Sequence, residues 1–472
     1  MLFPTLIFHV FFVIVFLGNW ALRRAGDWRL IMLLVASWIF YGWFDARFVV
    51  LLLASAWLNW AAARMIVAQP DRARLWLIVG VWSNLLILGF FKYYGFFTDS
   101  ANALLIDAGW HSAFRPLDII LPVGVSFFTF QGISYVVDVR NGRSEPARLL
   151  ELTFLMSFFP HLVAGPIVRP AHLLPQLREP PHMSRGMAAA SLVLIGWGLI
   201  KKAVIANELA IHLVDPVFSD PQAHSAADLM IASYGYAIQI YCDFSAYSDM
   251  AIGLAGLLGL RFPRNFNQPY RARSLQDFWR RWHISLSSWL RDYLYIAVFG
   301  GSRGRLLGNR LLGTCAALFG TMVLGGLWHG ARVNFVIWGA LHGAMLVAER
   351  LWQQARPQGL PMLPKWITTV FTFHVVTLAW IFFRSARFDD AMAIVNRIAA
   401  WEPGTFIASP WTVGMIVIGM ACQFGPERAL ERLSLVLARV PFIGVAALGT
   451  LLLLVVEGLR GAGVAPFIYF QF

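Results

Sequence analysis

The sequence predicts an all-α, polytopic membrane protein, and three observations carry that prediction. Of 472 residues, 58% are hydrophobic and only 13% are charged, where a soluble domain averages about a quarter charged. The mean hydropathy is +0.64. Uncharged apolar runs of about 18 residues or more, the length a bilayer crossing demands, recur along the chain; Leu311 to Trp328 is one.

In chain order the candidate spans are 2–20, 30–44, 48–68, 75–97, 119–139, 149–168, 187–206, 229–260, 306–328, 333–352, 366–383, 411–424 and 440–456. Some are re-entrant, so the expected crossings number about ten to twelve. The start, Met1-Leu2-Phe3-Pro4, lacks the basic region of a cleaved signal peptide, so the first run reads as a retained span. No internal repeat or low-complexity tract divides the chain. A single integral-membrane domain over 1–472 is expected, containing a cytoplasm-facing re-entrant or amphipathic segment at 261–305.

Charge orients the spans, because loops rich in Arg and Lys stay in the cytoplasm. Arg23, Arg24 and Arg29 follow the first span, and Arg64, Arg72 and Arg74 the third, whereas Asp99, Asp107 and Asp118 with Arg115 follow the fourth. The N-terminus is therefore expected outside, and the ten arginines of 261–310 inside. The same bias accounts for the formal charge of +13; no aromatic-plus-basic nucleic-acid module accompanies it. Cys242, Cys315 and Cys422 lie far apart in apolar surroundings and read as buried thiols.

Several spans are broken: Leu121-Pro122-Val123-Gly124, Phe159-Pro160, and Gly165-Pro166 through Arg169-Pro170. Irregular backbone at membrane depth is tolerated where protein or a water-filled cavity satisfies it, so the bundle is expected to enclose a polar cavity. A half-crossing segment between Arg140 and Lys202 would also resolve an ambiguous loop parity there.

Two stretches concentrate chemistry. In the first, Asp277 to Tyr295, read at 100° per residue, Leu275, Phe278, Trp279, Trp282, Leu286, Trp289, Leu290 and Tyr293 form one apolar stripe. Asp277, Arg280, Arg281, Ser288 and Arg291 lie opposite, with Asp277 spaced to pair with Arg281. That pattern describes one helix at a membrane surface, its face sunk to headgroup depth, with His283 at the stripe's edge. The basic face of Arg280, Arg281 and Arg291 would steer an anionic substrate or attract anionic lipid; both readings stand.

The second stretch is Gly325-Gly326-Leu327-Trp328-His329-Gly330, closing an uncharged span just before Asn334. An ionisable group there is a functional hypothesis by default, and imidazole can take and return a proton near neutral pH. The glycines would let a backbone or a substrate approach closely. A histidine bonding between helices is the other reading of His329. His342, along the next span, and His161, beside Pro160, stand nearby with the structural reading favoured for each. Asp243 and Asp249 with their neighbouring hydroxyls interrupt the 229–260 span, and should face the interior and be paired. There is no G-x-S-x-G, H-E-x-x-H, P-loop or G-x-G-x-x-G. A histidine with no dedicated nucleophile beside it fits transfer to an incoming hydroxyl, with the imidazole as general base.

With those stretches on the page, the sequence closely resembles the membrane-bound O-acyltransferase (MBOAT) family, and within it the bacterial branch that O-acetylates alginate. The resemblance is carried by Phe159 to Arg169, Tyr241 to Met250, Arg261 to Asn267, Asp277 to Ser287, Gly326 to Gly330 and the tail Pro466 to Phe472. Ala246, where relatives often carry Gly, is a small departure. The family's membrane histidine maps onto His329 and its cytoplasm-side histidine onto His283. The resemblance implies a helical bundle with a tunnel crossing a thinned bacterial inner membrane, with Trp282, Trp328, Asp243, Asn334 and His342 as tunnel candidates. An acetyl thioester such as acetyl-CoA would enter from the cytoplasm and an exopolysaccharide acceptor would be served outside. The implied partners are membrane lipid and a periplasmic acetyltransferase of SGNH esterase-like type; no metal or bound cofactor is implied. Peptidoglycan O-acetylation and teichoic-acid D-alanylation share this chemistry. A polysaccharide or lipid transporter is the alternative from another class, since broken spans also suit a permease.

Overall fold

Apolar runs become helices because a backbone kept from water must bond to itself, and a helix does so within one segment. A computed structural model describes residues 1, 3, 5–110, 117, 119–306, 308–357 and 363–459. The tail motif 466–472, residues 358–361 of a turn-rich connection, His111, Arg115 and Asp118 lie outside the described residues. Helices dominate, and the described residues form two isolated β-bridges but no strand. Among the described residues, five helices are long and apolar enough to cross a membrane: Arg47–Ala68, Pro70–Asp107, Arg185–Ser219, Arg310–His329 and Lys365–Arg384. Leu6–Ala21, Pro410–Phe424 and Ile443–Val456 are shorter apolar helices. The all-α, multi-pass expectation holds.

The chain forms two compact units. Unit one, Met1–Ser184 with Leu254–Pro263, contains α1 (Leu6–Ala21), α2 (Asp27–Gly42), α3 (Arg47–Ala68), α4 (Ala73–Asp107), α5 (Val125–Arg140), α6 (Leu149–Ser157), α7 (Phe159–Leu162) and α8 (Pro170–Leu177). Asn59 of α3 and Asn84 of α4 exchange side-chain hydrogen bonds of 3.2 and 2.7 Å. Gly132 of α5 lies so close to both amides that a Cβ would collide with them. Three helices therefore meet around one satisfied polar pair.

The broken spans break where Pro and Gly predicted. The 119–139 run becomes helical only at Val125, after Gly124 at φ +78°, where the Leu162 carbonyl leaves no room for a side chain. The 149–168 run yields α6 of nine residues, about 14 Å long against a hydrocarbon core of about 30 Å. That length is too short for a full crossing. His161 Nε2 donates to the Leu155 carbonyl at 2.8 Å, serving an α6 end that Pro160 cannot continue. Arg29 corrects the loop reading: it is 3% exposed. Its guanidinium donates to Asn19 Oδ1 and the Leu258 carbonyl, within this unit.

Unit two, Arg185–Gly253 with Arg264–Phe472, begins with α9 (Arg185–Ile200), which continues through π-helical turns at Lys201–Ala206 and Ala210–Val214 to Ser219. It contains most of α10 (Ala226–Leu257), then α11 (Leu275–Arg281), α12 (Ile284–Trp289), α13 (Arg310–His329), α14 (Val333–Ala355), α15 (Lys365–Arg384), α16 (Phe388–Ala400), α17 (Pro410–Phe424), α18 (Ala429–Leu437) and α19 (Phe442–Leu459). Helices α16 and α18 escape a search for apolar runs because charged residues interrupt them, Asp389, Asp390 and Arg397 in the first and Glu431 and Arg432 in the second. Helices α13 and α14 form a hairpin closed by small residues. A Cβ at Gly326 would strike the Phe335 carbonyl, and one at Gly339 the Met322 carbonyl. Small residues at a membrane crossing let two backbones meet, so Gly326 accommodates a neighbouring helix rather than a substrate.

Candidate functional site

The segment joining α10 to α13 shows how local rules build a site and where they stop. Ser274 caps α11, its Oγ accepting from the Asp277 amide at 3.0 Å. Glu349 of α14 accepts from the Leu275 and Gln276 amides, so this helix start is tied to a neighbour. Asp277 and Arg281 pair at 2.8 Å, as their spacing predicts.

The single amphipathic helix expected through Tyr295 does not form. Trp282 is extended (φ −96°, ψ 128°), His283 adopts a left-handed conformation (φ 42°, ψ 55°), and α12 starts afresh at Ile284. A non-glycine residue there carries strain of about 1–2 kcal/mol and needs surrounding structure to hold it. Asn265 supplies that hold. Its carbonyl accepts from the Ile284 amide at 2.8 Å, and its Oδ1 accepts from Ser285 N and Ser285 Oγ at 3.1 and 2.9 Å. Asn265 Nδ2 in turn donates to Ser248 Oγ of α10 at 3.0 Å. The stripe is corrected with the helix: Leu275, Phe278, Trp279, Trp282, Leu286, Trp289, Leu290 and Tyr293 are all buried in protein, not presented to headgroups.

The Asn265 network also sets the tautomer of His283. Oδ1 already accepts from a backbone N–H, so His283 Nδ1, 3.2 Å away, must be the donor, and Nε2 is the basic nitrogen. Phe244 meets the imidazole edge-on at 4.6 Å and Phe266 stacks at 6.4 Å. His283 lies outside the candidate spans, and burial pushes its pKa down to about 3, so the ring rests neutral.

His329 ends α13, 8% exposed, facing Trp338 of α14 at 5.1 Å and Phe383 of α15 at 5.1 Å, with Trp328 at 4.7 Å. His342, one of the weaker candidates, also touches Trp338, at 4.8 Å. A run of ring contacts leads from His329 to His283: Trp338 to Trp380 at 5.9 Å, Trp380 to Trp282 at 5.1 Å, Trp282 to Phe266 at 5.1 Å, then His283. Trp282 thus links the run between the two histidines, while Trp328 flanks His329.

Other candidates are committed to partners. Asp243 meets Lys202 at 2.6 Å, and Asp249 meets Lys201 at 2.6 Å; Lys201 also donates to Ser245 Oγ at 2.7 Å. Both carboxylates are paired as expected, Asp243 buried and Asp249 half-buried, and Lys201 and Lys202 are the residues that sequence reasoning passed over. Two adjacent lysines inside a predicted span were the available signal. Asn334 Nδ2 donates to the Ser385 carbonyl at 2.9 Å, tying α14 to the end of α15. Arg280 and Arg291 are exposed, Arg291 beside Asp292 at 2.7 Å, and Arg281 is spent on Asp277. Asn265, Trp338 and Trp380 were not singled out as site residues; Asn265 lies in the Arg261 to Asn267 motif, and the tryptophans carried no local signal. A neutral imidazole held in an aromatic box can accept a hydroxyl proton and return it to a leaving group.

The sequence profile of the membrane-bound O-acyltransferase family matches residues 138–388, which include His161, Lys201, Lys202, Asp243, His283, His329 and His342. A probable alginate O-acetylase of Pseudomonas aeruginosa is 42% identical over 397 residues, covering 83% of this chain and 73% of that one. A peptidoglycan O-acetyltransferase of Helicobacter pylori is 36% identical over 425 residues, covering 83% and 78%. A teichoic acid D-alanyltransferase of Bacillus subtilis is 26% identical over 333 residues, covering 65% and 84%.

Proposed function

This chain belongs to the membrane-bound O-acyltransferase family, and we propose that it passes acetyl groups from a cytoplasmic thioester across the bacterial inner membrane for O-acetylation of an exopolysaccharide such as alginate. Acyl transfer replaces the transporter reading, because every relative above carries an acyltransferase or acetylase name. The observation that carries the mechanism is the burial of His329 and His283 in one unit, joined by a run of aromatic rings.

His329 acts as the general base. It takes the proton of the acceptor hydroxyl as that oxygen bonds to the thioester carbonyl carbon; the carbon–sulfur bond then breaks and the proton leaves with the thiolate. The acceptor is the glycan hydroxyl itself or a transient acyl carrier. His283, its Nε2 basic, positions the thioester at the cytoplasmic mouth, and exposed Arg280 and Arg291 draw the anionic donor, acetyl-CoA or another acetyl thioester. Trp282 lines the way between the histidines. A periplasmic SGNH esterase-like partner completes delivery to the polysaccharide. The Helicobacter relative supports a second acceptor, peptidoglycan, by the same chemistry.

Replacement His329→Ala should abolish glycan acetyl ester in cells, a loss of about 10²- to 10⁴-fold for a general base, with membrane abundance near normal. Wild-type ester content in that variant would remove His329 from the reaction. Mass analysis of secreted and cell-wall glycans from a deletion strain identifies the acceptor by which ester disappears.

A further inference from the structure

Buried polar atoms in folded proteins normally have partners, so the exceptions mark positions where something else supplies them. In unit two, several exceptions fall on three rings in mutual contact. His342 is 1% exposed, and neither of its ring nitrogens has a hydrogen-bond partner among the described residues. Trp279 of α11 and Trp338 of α14 touch it at 5.3 and 4.8 Å and lie 5.8 Å from each other. Both indoles are nine-tenths or more buried, and the N–H of each likewise lacks a partner among the described residues.

The atom types define the ligand. An indole N–H donates and never accepts, whereas a neutral imidazole offers one donor and one acceptor. Two obligate donors beside a third ring with one more donor match an oxygen that only accepts. Trp338 is also the ring that faces His329 at 5.1 Å, so an oxygen on this cluster belongs to a molecule beside the proposed base.

We propose that Trp279, Trp338 and His342 form a subsite for the carbonyl oxygen of the acyl group in transit. The assignment rests on the acyl-transfer reading of His329. As the acceptor oxygen bonds to the carbonyl carbon, the carbon–oxygen π pair moves onto this oxygen. Donors already in place stabilise that charge without having to reorganise. Collapse restores the carbonyl, expels the thiolate, and returns to it the proton held by His329.

The test compares two probes on the purified full chain in lipid nanodiscs: acetyl-CoA, and S-ethyl-CoA, a thioether of similar size that lacks the carbonyl. Wild type should bind acetyl-CoA about tenfold more tightly, the span of one good hydrogen bond. In Trp338→Phe and Trp279→Phe, which keep a ring and remove the N–H, that preference should shrink towards unity. S-ethyl-CoA affinity and the thermal midpoint should hold or rise, because a buried unpartnered donor has been removed. His342→Phe should lose the preference in the same way. Variants that keep the wild-type preference would overturn the subsite and leave these nitrogens to ordered water. Wild type that binds neither probe would overturn the donor reading and the subsite with it.

Discussion

Lys201 and Lys202 meet Asp249 and Asp243 at 2.6 Å each, with Ser245 closing on Lys201, while a few helices away in the same unit four ring nitrogens of Trp279, Trp338 and His342 have no partner among the described residues. Both clusters put costly polar atoms in an apolar interior. In the first, each charge is answered by another from a facing helix, so the cluster fastens the π-helical continuation of α9 to α10. In the second, rings pack closely yet their polar edges go unanswered by protein. The difference teaches that buried polarity alone does not mark a site: a saturated cluster spends its bonding on the fold, and an unsaturated one keeps it for a ligand.

The comparison breaks most readily at its saturated side. Asp243→Ala should leave the Lys202 ammonium buried and uncompensated, at a cost of about 3–5 kcal/mol, seen as a lowered thermal midpoint and poor membrane recovery. Replacing both partners, Lys202→Met with Asp243→Leu, should restore most of the midpoint, since a buried pair is often no better than matched apolar groups. Full stability with lost transfer in Asp243→Ala would instead move this pair into the catalytic machinery.

A smaller effect sharpens the middle ground, where Asn265 combines both behaviours. Asn265→Ala removes the acceptor of Ser285 and His283, about 1–3 kcal/mol for the donors stranded. It also frees the His283 tautomer, so the transfer rate should fall alongside the midpoint. A lower midpoint with an unchanged rate would reduce Asn265 to a fold residue.

The smallest effect is expected at the surface. Arg280→Gln should leave stability within about 0.5 kcal/mol. It should raise the KM for acetyl-CoA at low salt, with the gap closing as added salt screens the charge. An equal KM at all salt concentrations would assign this face to lipid.

How far the sequence could be read follows the range of the interactions involved. The breaks near Gly124 and Pro160, the Asp277–Arg281 pair and the interior placement of Asp243 were all legible, because each rests on residues close in sequence or on a cost any buried charge incurs. The 275–296 segment misled for the same reason. Its apolar stripe has the period of one continuous helix, but the residue that holds the break, Asn265, stands 18 positions from His283. The stripe likewise shows which residues are buried without saying whether lipid or protein buries them. Lys201 and Lys202 were hidden by averaging, since a hydropathy window dilutes two charges among apolar neighbours.

By itself the sequence determined that this is an all-α membrane protein, where most of its helices run, and which imidazoles, carboxylates and indoles are available for chemistry. Those properties follow from composition and from a 3.6-residue period that every turn repeats. Only the tertiary structure decided that His283 sits at a left-handed break, that each lysine of the adjacent pair has its own aspartate, and that Trp338 touches both His329 and His342. Partners such as Lys201 and Asp249, 48 residues apart, meet through the path of the intervening chain, and no local pattern encodes that path.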